Sequence, residues 1–410
     1  MGVNNVDEWR NKIFVSPYCR PDYLKGSICK TGDPLIHDST LREGEQTPSV
    51  VFAAEDRIKI VQLLSNIKVE CVEAGFPASS ESEKNEVSQV VKLGSGMTVY
   101  GFARAVKGDI DAVIECDCDG VVISYPPSDF HLTYKLRITR EEYLKKAVEI
   151  VEYSKSHGLD VIYSAEDSTR CDLPWLKRVF REVVDAGVDV LRVVDTLGCI
   201  TPTGMRFLIN ELRKELDKPI EVHCHNDHGL ALANALAAFE SGATRFSTSV
   251  LGLGERAGIT ATEELIVAFK NFYNVDKYNA EKLTELCETV AKMAKMILWP
   301  LKPISGINVF THTSGIHQDA VLKNPIVYEC FPPEMVGQRR RFLLSRISGR
   351  AAVSAKLKEY GFTVSGKDVE EITNIIKEVS ANRRSAISDE EFLEIAKKYF
   401  LSKRDQYGHS

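Results

Sequence analysis

Short apolar runs alternate with longer amphipathic stretches through residues 34–278. The apolar, β-branched runs are typical of strands and occupy 34–40, 69–77, 97–104, 121–126, 160–166, 188–198, 220–227 and 244–254. Helical spacing fills the intervals, including 54–67, 139–157, 172–186, 201–216 and 230–240. Thr139 precedes Glu142 by three residues as a capping box, and Gly158, Gly187 and Gly242 follow helices. Eight strands alternating with helices predict an α/β fold, the (β/α)8 TIM barrel.

The alternation stops near residue 278. A helix is predicted at 280–298, where Trp299-Pro300 ends it, and three more at 349–360, 367–380 and 389–399. We therefore divide the chain into an N-terminal arm (1–33), a catalytic barrel (34–278) and a smaller, mostly helical C-terminal region (279–410).

Composition narrows the function classes. A net charge of -6, with lysines and arginines dispersed among acidic residues, argues against a nucleic-acid partner. The first twenty residues carry Asp7, Glu8, Arg10 and Lys12 without a long apolar run, so we expect no signal peptide, no membrane span and a cytoplasmic location. Ten scattered cysteines are expected to be free thiols.

Polar residues gather at the carboxyl ends of the predicted strands, where a TIM barrel carries its active site. His223 and His225 leave the same face of one strand, which predicts a divalent-metal site; a hydrogen-bonded pair is the alternative. Glu43, on the first loop, can supply a carboxylate, and the set suits Zn²⁺, Mg²⁺ or Mn²⁺. Arg42 could bind an alkoxide or carboxylate. A surface ion pair with Glu43 would be the default interpretation if the two residues were not at the mouth of a barrel.

Four motifs give the chain a specific resemblance. They are His37-Asp-Ser-Thr-Leu-Arg-Glu-Gly-Glu-Gln46, His223-Cys-His-Asn-Asp227, Gly252-Leu-Gly-Glu-Arg-Ala-Gly258 and Ser314-Gly-Ile-His-Gln-Asp-Ala-Val-Leu-Lys-Asn-Pro325. Together, and in this order, they resemble the homocitrate synthase and 2-isopropylmalate synthase family. The resemblance implies a Claisen condensation of acetyl-CoA, the co-substrate, with a 2-oxo acid, followed by thioester hydrolysis.

The resemblance also implies roles for individual residues. The metal ligands are Glu43, His223 and His225. The residues that bind substrate or line its pocket are Arg42, Gln46, Glu73, Ser164 and Thr196. Glu166 would assist proton transfer, and His317 with Tyr328 would complete the site for deprotonating the acetyl methyl group. In this family the last two come from the neighbouring subunit, which implies a domain-swapped homodimer with residues 279–410 as lid and dimerisation region.

Two groups of positions resemble different branches of the family. Ile259 and Glu43 match the homocitrate branch, whereas Phe102 and Ile162 replace the histidine and arginine with which that branch grips a distal carboxylate. A lining of Phe76, Phe102 and Ile162 suits pyruvate or 2-oxoisovalerate, because a buried carboxylate needs a cationic partner. An acidic substrate would need Arg104, Lys135 or His131, so 2-oxoglutarate, oxaloacetate and a phosphono analogue stay open.

Three functions were weighed. The first is a homocitrate synthase-type acyltransferase, with 2-isopropylmalate, citramalate and phosphonomethylmalate synthases as variants of the same chemistry. The second is a metal-dependent aldolase or hydroxymethylglutaryl-CoA lyase relative, which would lack the segment 306–349 that contains His317 and Tyr328. The third, a non-catalytic metal-binding barrel, is disfavoured by the polar groups at seven strand ends.

Overall fold

The computed structural model describes residues 12–19 and 32–407. Most of the predicted N-terminal arm, 1–33, lies outside the described residues. Two compact units are present: one spans Ser16–Leu298, and the other comprises the chain from Trp299 together with residues 12–15. The predicted domain boundaries at 33/34 and 278/279 stay predictions.

The first unit contains a closed barrel of eight parallel strands that neighbour one another in sequence order, which confirms the predicted TIM barrel. The strands are β1 Leu35–Asp38, β2 Cys71–Gly75, β3 Thr98–Arg104, β4 Gly120–Ser124, β5 Asp160–Ala165, β6 Val190–Asp195, β7 Ile220–Cys224 and β8 Arg245–Thr248. The helices that follow them in turn are α1 Ala54–Ile67, α2 Glu81–Lys92, α3 Lys107–Glu115, α4 Arg140–Ser156, α5 Leu173–Asp185, α6 Pro202–Arg213, α7 Ala231–Glu240 and α8 Thr262–Tyr273.

The predicted helix ends are present. The Thr139 side chain accepts a hydrogen bond from the backbone of Glu142, whose carboxylate in turn accepts one from the backbone of Thr139, so two of the free N–H groups at the start of α4 are satisfied. Gly187 and Gly242, after α5 and α7, have φ of 98° and 102°, a conformation that costs glycine little and other residues more.

A row of polar residues winds around the barrel because neighbouring strands are staggered. The register pairs Arg104 of β3 with Ser124 of β4, and continues through Ser164 of β5, Arg192 of β6, Glu221 of β7 and Arg245 of β8. The row begins at the carboxyl end of β3 and finishes at the first residue of β8, so it descends from the mouth of the barrel to its amino-terminal end.

The chain beyond the barrel is mostly helical, as predicted. Helix α9 Leu283–Met293 belongs to the barrel unit, and the second unit contains the strands β9 Thr311–His312 and β10 Arg341–Phe342 with the helices α10 Gly315–Lys323, α11 Arg350–Glu359, α12 Gly366–Arg383 and α13 Asp389–Tyr407. Buried Val353, Leu357, Ile372, Ile376 and Phe392 form the core of α11 to α13. Within the described residues, no helix is both long and apolar enough to cross a membrane.

Candidate functional site

A cavity of about 620 Å³ opens at the carboxyl ends of the barrel strands. Its walls include most of the residues that the sequence singled out: Arg42, Glu43, Gln46, Phe76, Phe102, Arg104, Ser164, Glu166, Thr196, His223 and His225. The full lining includes residues from all eight strands or the loops after them, so these side chains face one space, as the barrel prediction requires.

Glu43, His223 and His225 converge at one side of this cavity. One ligand atom from each lies within 4.8 Å of the other two, and all three side chains are buried. The two imidazole Nε2 atoms are only 3.3 Å apart. Glu43 also accepts a hydrogen bond of 3.0 Å from the backbone of Glu255, which holds its carboxylate in place. The three side chains present the nitrogen and oxygen donors of a divalent-cation site.

The electrostatics of the two histidines fit a metal site. Burial lowers the pKa of His223 well below its usual value, and the neighbouring His225 lowers it further. Burial also lowers the pKa of His225. Both imidazoles are therefore neutral at physiological pH, the form that binds a metal. Ser247 on β8 lies 2.8 Å from His223 Nδ1. When His223 carries its proton on Nδ1 and donates it to Ser247, the Nε2 lone pair is free for a ligand.

Arg42 links the metal ligands to the barrel interior. Its Nε donates to Glu73 Oε1 at 2.5 Å, and its Nη1 donates to Glu43. Glu73 is fully buried and does not line the cavity itself. Although burial raises the pKa of Glu73, the guanidinium groups of Arg42 and Arg192 outweigh that effect and lower it to about 2. Glu73 is therefore a permanent carboxylate that reaches the cavity through Arg42.

Glu166 is held by cations on the short helical segment 129–136, between β4 and α4. Lys135 Nζ donates to both of its oxygens at 2.8 and 2.9 Å, and His131 Nε2 lies 3.3 Å away. Burial raises the pKa of Glu166, but the hydrogen bonds with His131 and Lys135 produce a net lowering. Glu166 is therefore a carboxylate at neutral pH and can accept a proton.

An apolar wall stands beside Arg42. The rings of Phe76 and Phe102 meet edge to face with centroids 5.3 Å apart, and the Arg42 guanidinium lies 4.7 Å from the Phe102 centroid. Ile162, predicted to line the pocket, is not among the lining residues. It is fully buried in a packed cluster of the barrel interior against which Phe102 rests. Its influence on the cavity is transmitted by Phe102.

The cations proposed for an acidic substrate already have carboxylate partners. Arg104, whose side chain is 65 % exposed, lies 5.5 Å from the Phe76 centroid and binds Asp109 through two hydrogen bonds of 2.8 and 3.0 Å. His131 lies 3.1 Å from Asp167, which raises the pKa of His131, together with Glu166, to about 9. Each of these cations would have to share its charge with a substrate.

Thr196 and Ser164 occupy the expected strand ends. The hydroxyl of Thr196 accepts a hydrogen bond of 2.7 Å from the backbone of Asp167. Its carbonyl accepts one of 2.5 Å from Arg256, which also binds Asp227. Ser164 is buried on β5, and Gln46 is exposed at the end of the turn Gly44–Gln46.

Several residues of the site were not predicted: Arg192, Glu221, Ser247 and Arg256. Sequence signals existed for three of them. Arg192 is a charged residue inside the apolar run of β6, and Glu221 precedes His223 by two residues, so the alternation that pairs the histidines also places Glu221 on their face. Arg256 lies within the motif Gly252–Gly258, although its bond to Asp227 was not predicted. Ser247 carries no comparable signal, because its role depends on which strands become neighbours.

His317 and Tyr328 belong to the second unit. Their rings are neighbours, with centroids 4.0 Å apart, and Tyr328 is 45 % exposed. His317, on α10, is also exposed. The nearby His312 is different, because it is bound to the buried Glu329 at 3.0 Å. His317, which lies within the predicted motif, is therefore more accessible than His312.

Comparison with known families decides the relationship. The HMGL-like family matches residues 33–290, and the family described as homocitrate synthase post-HMGL domain-like matches residues 304–384. The chain belongs to the HMGL-like family. This HMGL-like protein is 43% identical to homocitrate synthase AksA of Methanothermobacter thermautotrophicus over 94% of the chain and 98% of that relative. It is also 43% identical to the 2-isopropylmalate synthase of Methanocaldococcus jannaschii, over 84% of the chain but 67% of that relative.

Solved structures extend the HMGL-like relationship at the level of fold. The HMG-CoA lyase of Bacillus subtilis superposes with a TM-score of 0.59 at 20% identity, over 66% of this chain and 96% of the lyase. The carboxyl transferase domain of Rhizobium etli pyruvate carboxylase gives a TM-score of 0.52 at 14% identity. The predicted family and its barrel are confirmed. The lyase match covers about two thirds of this HMGL-like chain, and the post-HMGL match begins at residue 304.

Proposed function

We propose that this protein is an acyltransferase that condenses acetyl-CoA with a 2-oxo acid and hydrolyses the thioester, in the manner of a homocitrate synthase. The observation that carries the proposal is the end-to-end match with homocitrate synthase AksA, at 43% identity over 98% of that relative. The post-HMGL match at 304–384 favours a synthase over a lyase, because the structure of HMG-CoA lyase covers only 66% of this chain.

In this proposal Glu43, His223 and His225 hold a divalent cation, Mg²⁺, Mn²⁺ or Zn²⁺. When bound, the cation supplies Lewis-acid polarisation of the 2-oxo acid carbonyl. Arg42 lies beside Glu43 and presents a guanidinium to the carboxylate of the substrate or to the alkoxide that develops during condensation. Thr196, Ser164 and Gln46 surround the same cavity and orient the substrate.

The acetyl methyl group must lose a proton before it can attack. We assign this step to His317 and Tyr328, with Glu166 as a second proton-transfer group whose carboxylate form is favoured by Lys135 and His131. The neighbouring, exposed rings of His317 and Tyr328 are accessible to a second molecule. We propose that a neighbouring subunit of a domain-swapped homodimer supplies them, so that residues 279–410 act as its lid and exclude water from the enolate.

The choice of 2-oxo acid depends on the apolar wall beside Arg42. For an acid of the 2-oxoglutarate type, Arg104 is the best cation for the distal carboxylate, because its side chain is 65 % exposed and its guanidinium lies over the Phe76 ring. The edge-to-face pair of Phe76 and Phe102 favours a second candidate, an acid with an apolar side chain such as pyruvate or 2-oxoisovalerate.

A substrate panel tests both candidates. Purified protein is incubated with acetyl-CoA, Mg²⁺ or Mn²⁺ and one acid from the set 2-oxoglutarate, oxaloacetate, pyruvate, 2-oxoisovalerate and phosphonopyruvate, while free thiol is followed. We expect thiol release with at least one acid, and none without the acid. Replacement Arg104→Met should raise the KM for 2-oxoglutarate and leave that for 2-oxoisovalerate unchanged. Absence of thiol release with every acid would refute the condensing activity.

The subunit-sharing part of the proposal has its own test. Glu43→Gln and His317→Ala variants, each inactive alone, are co-expressed with different affinity tags and purified as the mixed dimer. If His317 acts on the neighbouring barrel, one of the two sites in the mixed dimer carries both native residues, and activity returns to roughly half of that of a wild-type site pair. A mixed dimer as inactive as its parents would show that each subunit uses its own His317.

A further inference from the structure

Arg192, Glu221 and Arg245 are side-by-side register partners on β6, β7 and β8. Arg192 is 1 % exposed and Glu221 is fully buried. Arg192 Nε donates to Glu221 Oε1, and Arg245 Nε donates to Glu221 Oε2 at 3.2 Å. Although burial raises the pKa of Glu221, Arg192 and its other partners lower it well below the usual value. The barrel interior therefore contains a fixed row of alternating charges.

Arg192 connects this row to the active-site arginine. Its Nη1 donates to Glu73 Oε2 at 3.1 Å, while Arg42 Nε donates to Glu73 Oε1 at 2.5 Å. Ser39 Oγ donates to the same Oε2 atom at 2.9 Å. The two guanidinium groups thus hold opposite oxygens of one carboxylate, so that the plane of Glu73, and with it the direction of Arg42, depends on Arg192.

Stability alone does not account for these charges. The interior of a TIM barrel is ordinarily filled with bulky branched apolar side chains. Removing charged groups from water is costly, and replacing a buried ion-pair cluster by well-packed apolar residues is often neutral or stabilising. A row of arginine and glutamate therefore stabilises the barrel interior less well than apolar side chains would. It can, however, hold a group at the mouth of the barrel in a fixed orientation.

We propose that Arg192 is a positioning residue for the reaction, which fixes Glu73 and thereby aims the Arg42 guanidinium at the substrate, with Glu221 holding Arg192 in turn. The inference rests on the proposed function, because it concerns the delivery of Arg42 to a 2-oxo acid. Arg245 provides an internal contrast, since it binds Glu221 and the hydroxyl of Tyr100 at the other end of the row and has no hydrogen bond to Glu73.

The decisive variant is Arg192→Lys. Lysine keeps the positive charge between Glu73 and Glu221 but lacks the planar fork that bonds to both carboxylates at once. A displacement of Arg42 by about 1 Å can cost on the order of 100-fold in rate, so we expect kcat/KM for the 2-oxo acid to fall by at least about tenfold. The affinity for Mn²⁺ should stay within about twofold, because no metal ligand bonds to Arg192.

Two matched variants separate positioning from stability. Arg245→Lys makes the same chemical change in the same buried row, and Arg178→Lys makes it in the exposed pair with Glu141. We expect Arg245→Lys to lower Tm as Arg192→Lys does while retaining most of kcat/KM, and Arg178→Lys to change neither. Equal losses of kcat/KM in Arg192→Lys and Arg245→Lys, or wild-type kcat/KM in Arg192→Lys, would overturn the inference.

A binding measurement keeps the two proposals distinguishable. Calorimetric titration of 2-oxoglutarate and of 2-oxoisovalerate into Mn²⁺-loaded protein requires no acetyl-CoA and no turnover. If Arg192→Lys binds a 2-oxo acid more weakly than Arg245→Lys does, the positioning role of Arg192 is supported. This holds even if wild-type protein releases no thiol, because absence of thiol release refutes only the proposed reaction. If Arg192→Lys does not fold, Glu221→Gln removes the anchor of Arg192 and should shift kcat/KM in the same direction. If the same titration shows that wild-type protein binds none of the five acids of the substrate panel, both proposals are overturned.

Discussion

Replacement of Ser247 by alanine tests the hydrogen bond between Ser247 and His223 at the proposed metal site. Ser247 is 1 % exposed, and its Oγ lies 2.8 Å from His223 Nδ1. Without the hydroxyl, His223 either keeps a proton on Nδ1 that has no acceptor, or moves it to Nε2 and loses the lone pair that faces His225. Both outcomes weaken metal binding while leaving all three ligands in the chain.

The size of the effect follows from the burial of the site. A buried donor without a partner costs about 1–3 kcal/mol. Since about 1.4 kcal/mol corresponds to tenfold in an equilibrium constant, the Kd for Mn²⁺ should rise by roughly 5- to 150-fold. This range agrees with the loss of about 10- to 100-fold that follows when a residue behind a metal ligand is removed.

The assay is a titration of Ser247→Ala with Mn²⁺, in which the free ion is followed by electron paramagnetic resonance. Ser154→Ala is the matched control, because Ser154 is equally buried and its hydroxyl donates to the Ile150 carbonyl within α4, outside the cavity lining. We expect wild-type affinity in the control. A Kd for Ser247→Ala within twofold of wild type would refute the role given to the hydrogen bond, as would an equal loss in Ser154→Ala.

Two further predictions concern the wall and the loop above the barrel. Phe102→Ala removes a ring contact worth about 0.5–1.5 kcal/mol. We expect a several-fold lower kcat/KM in the thiol-release assay and an unchanged affinity for Mn²⁺. Loss of Mn²⁺ binding would contradict the assignment of Phe102 to the substrate pocket. The pKa of His131 is raised to about 9 by Asp167 and Glu166, so its stabilising contribution is complete below pH 6.5 and disappears as pH rises towards 9. In urea unfolding, the difference in free energy of unfolding between wild type and His131→Asn should therefore shrink as pH rises from 6.5 to 9. A difference that does not change with pH would exclude this effect of His131 protonation.

The sequence predicted the barrel because strand and helix periodicities are local properties. Each of the eight predicted runs overlaps an observed strand, but 121–126 began one residue after the start of Gly120–Ser124, and 188–198 and 244–254 were too long. The observed strands end at Asp195 and Thr248, where the chain turns into loops that hold Thr196 and the segment Val250–Gly252. In the sequence, the residues just after a strand cannot be distinguished from residues of the strand itself. The end of the strand is determined by where its hydrogen bonds to the neighbouring strands stop.

The site was predictable where one strand or one motif sufficed. His223 and His225 follow from alternation, and Glu43 from its motif. Ile162 shows the limit: alternation places its side chain inside the barrel, but the depth at which it lies depends on the stagger between strands, which no single strand encodes. The pairing of Lys135 with Glu166 depends likewise on the conformation of the segment between β4 and α4.

The candidate metal ligands and the apolar wall lie on two different groups of neighbouring strands. Strands β7, β8 and β1 with their loops carry His223, His225, Ser247 and Glu43, whereas β2 and β3 carry Phe76, Phe102 and Arg104. Replacing Phe76, Phe102 or Arg104 would therefore change the proposed substrate pocket and leave Glu43, His223, His225 and Ser247 in place. New specificities would therefore be sought by diversifying Phe76, Phe102 and Arg104 while keeping Glu73 of β2, which holds Arg42.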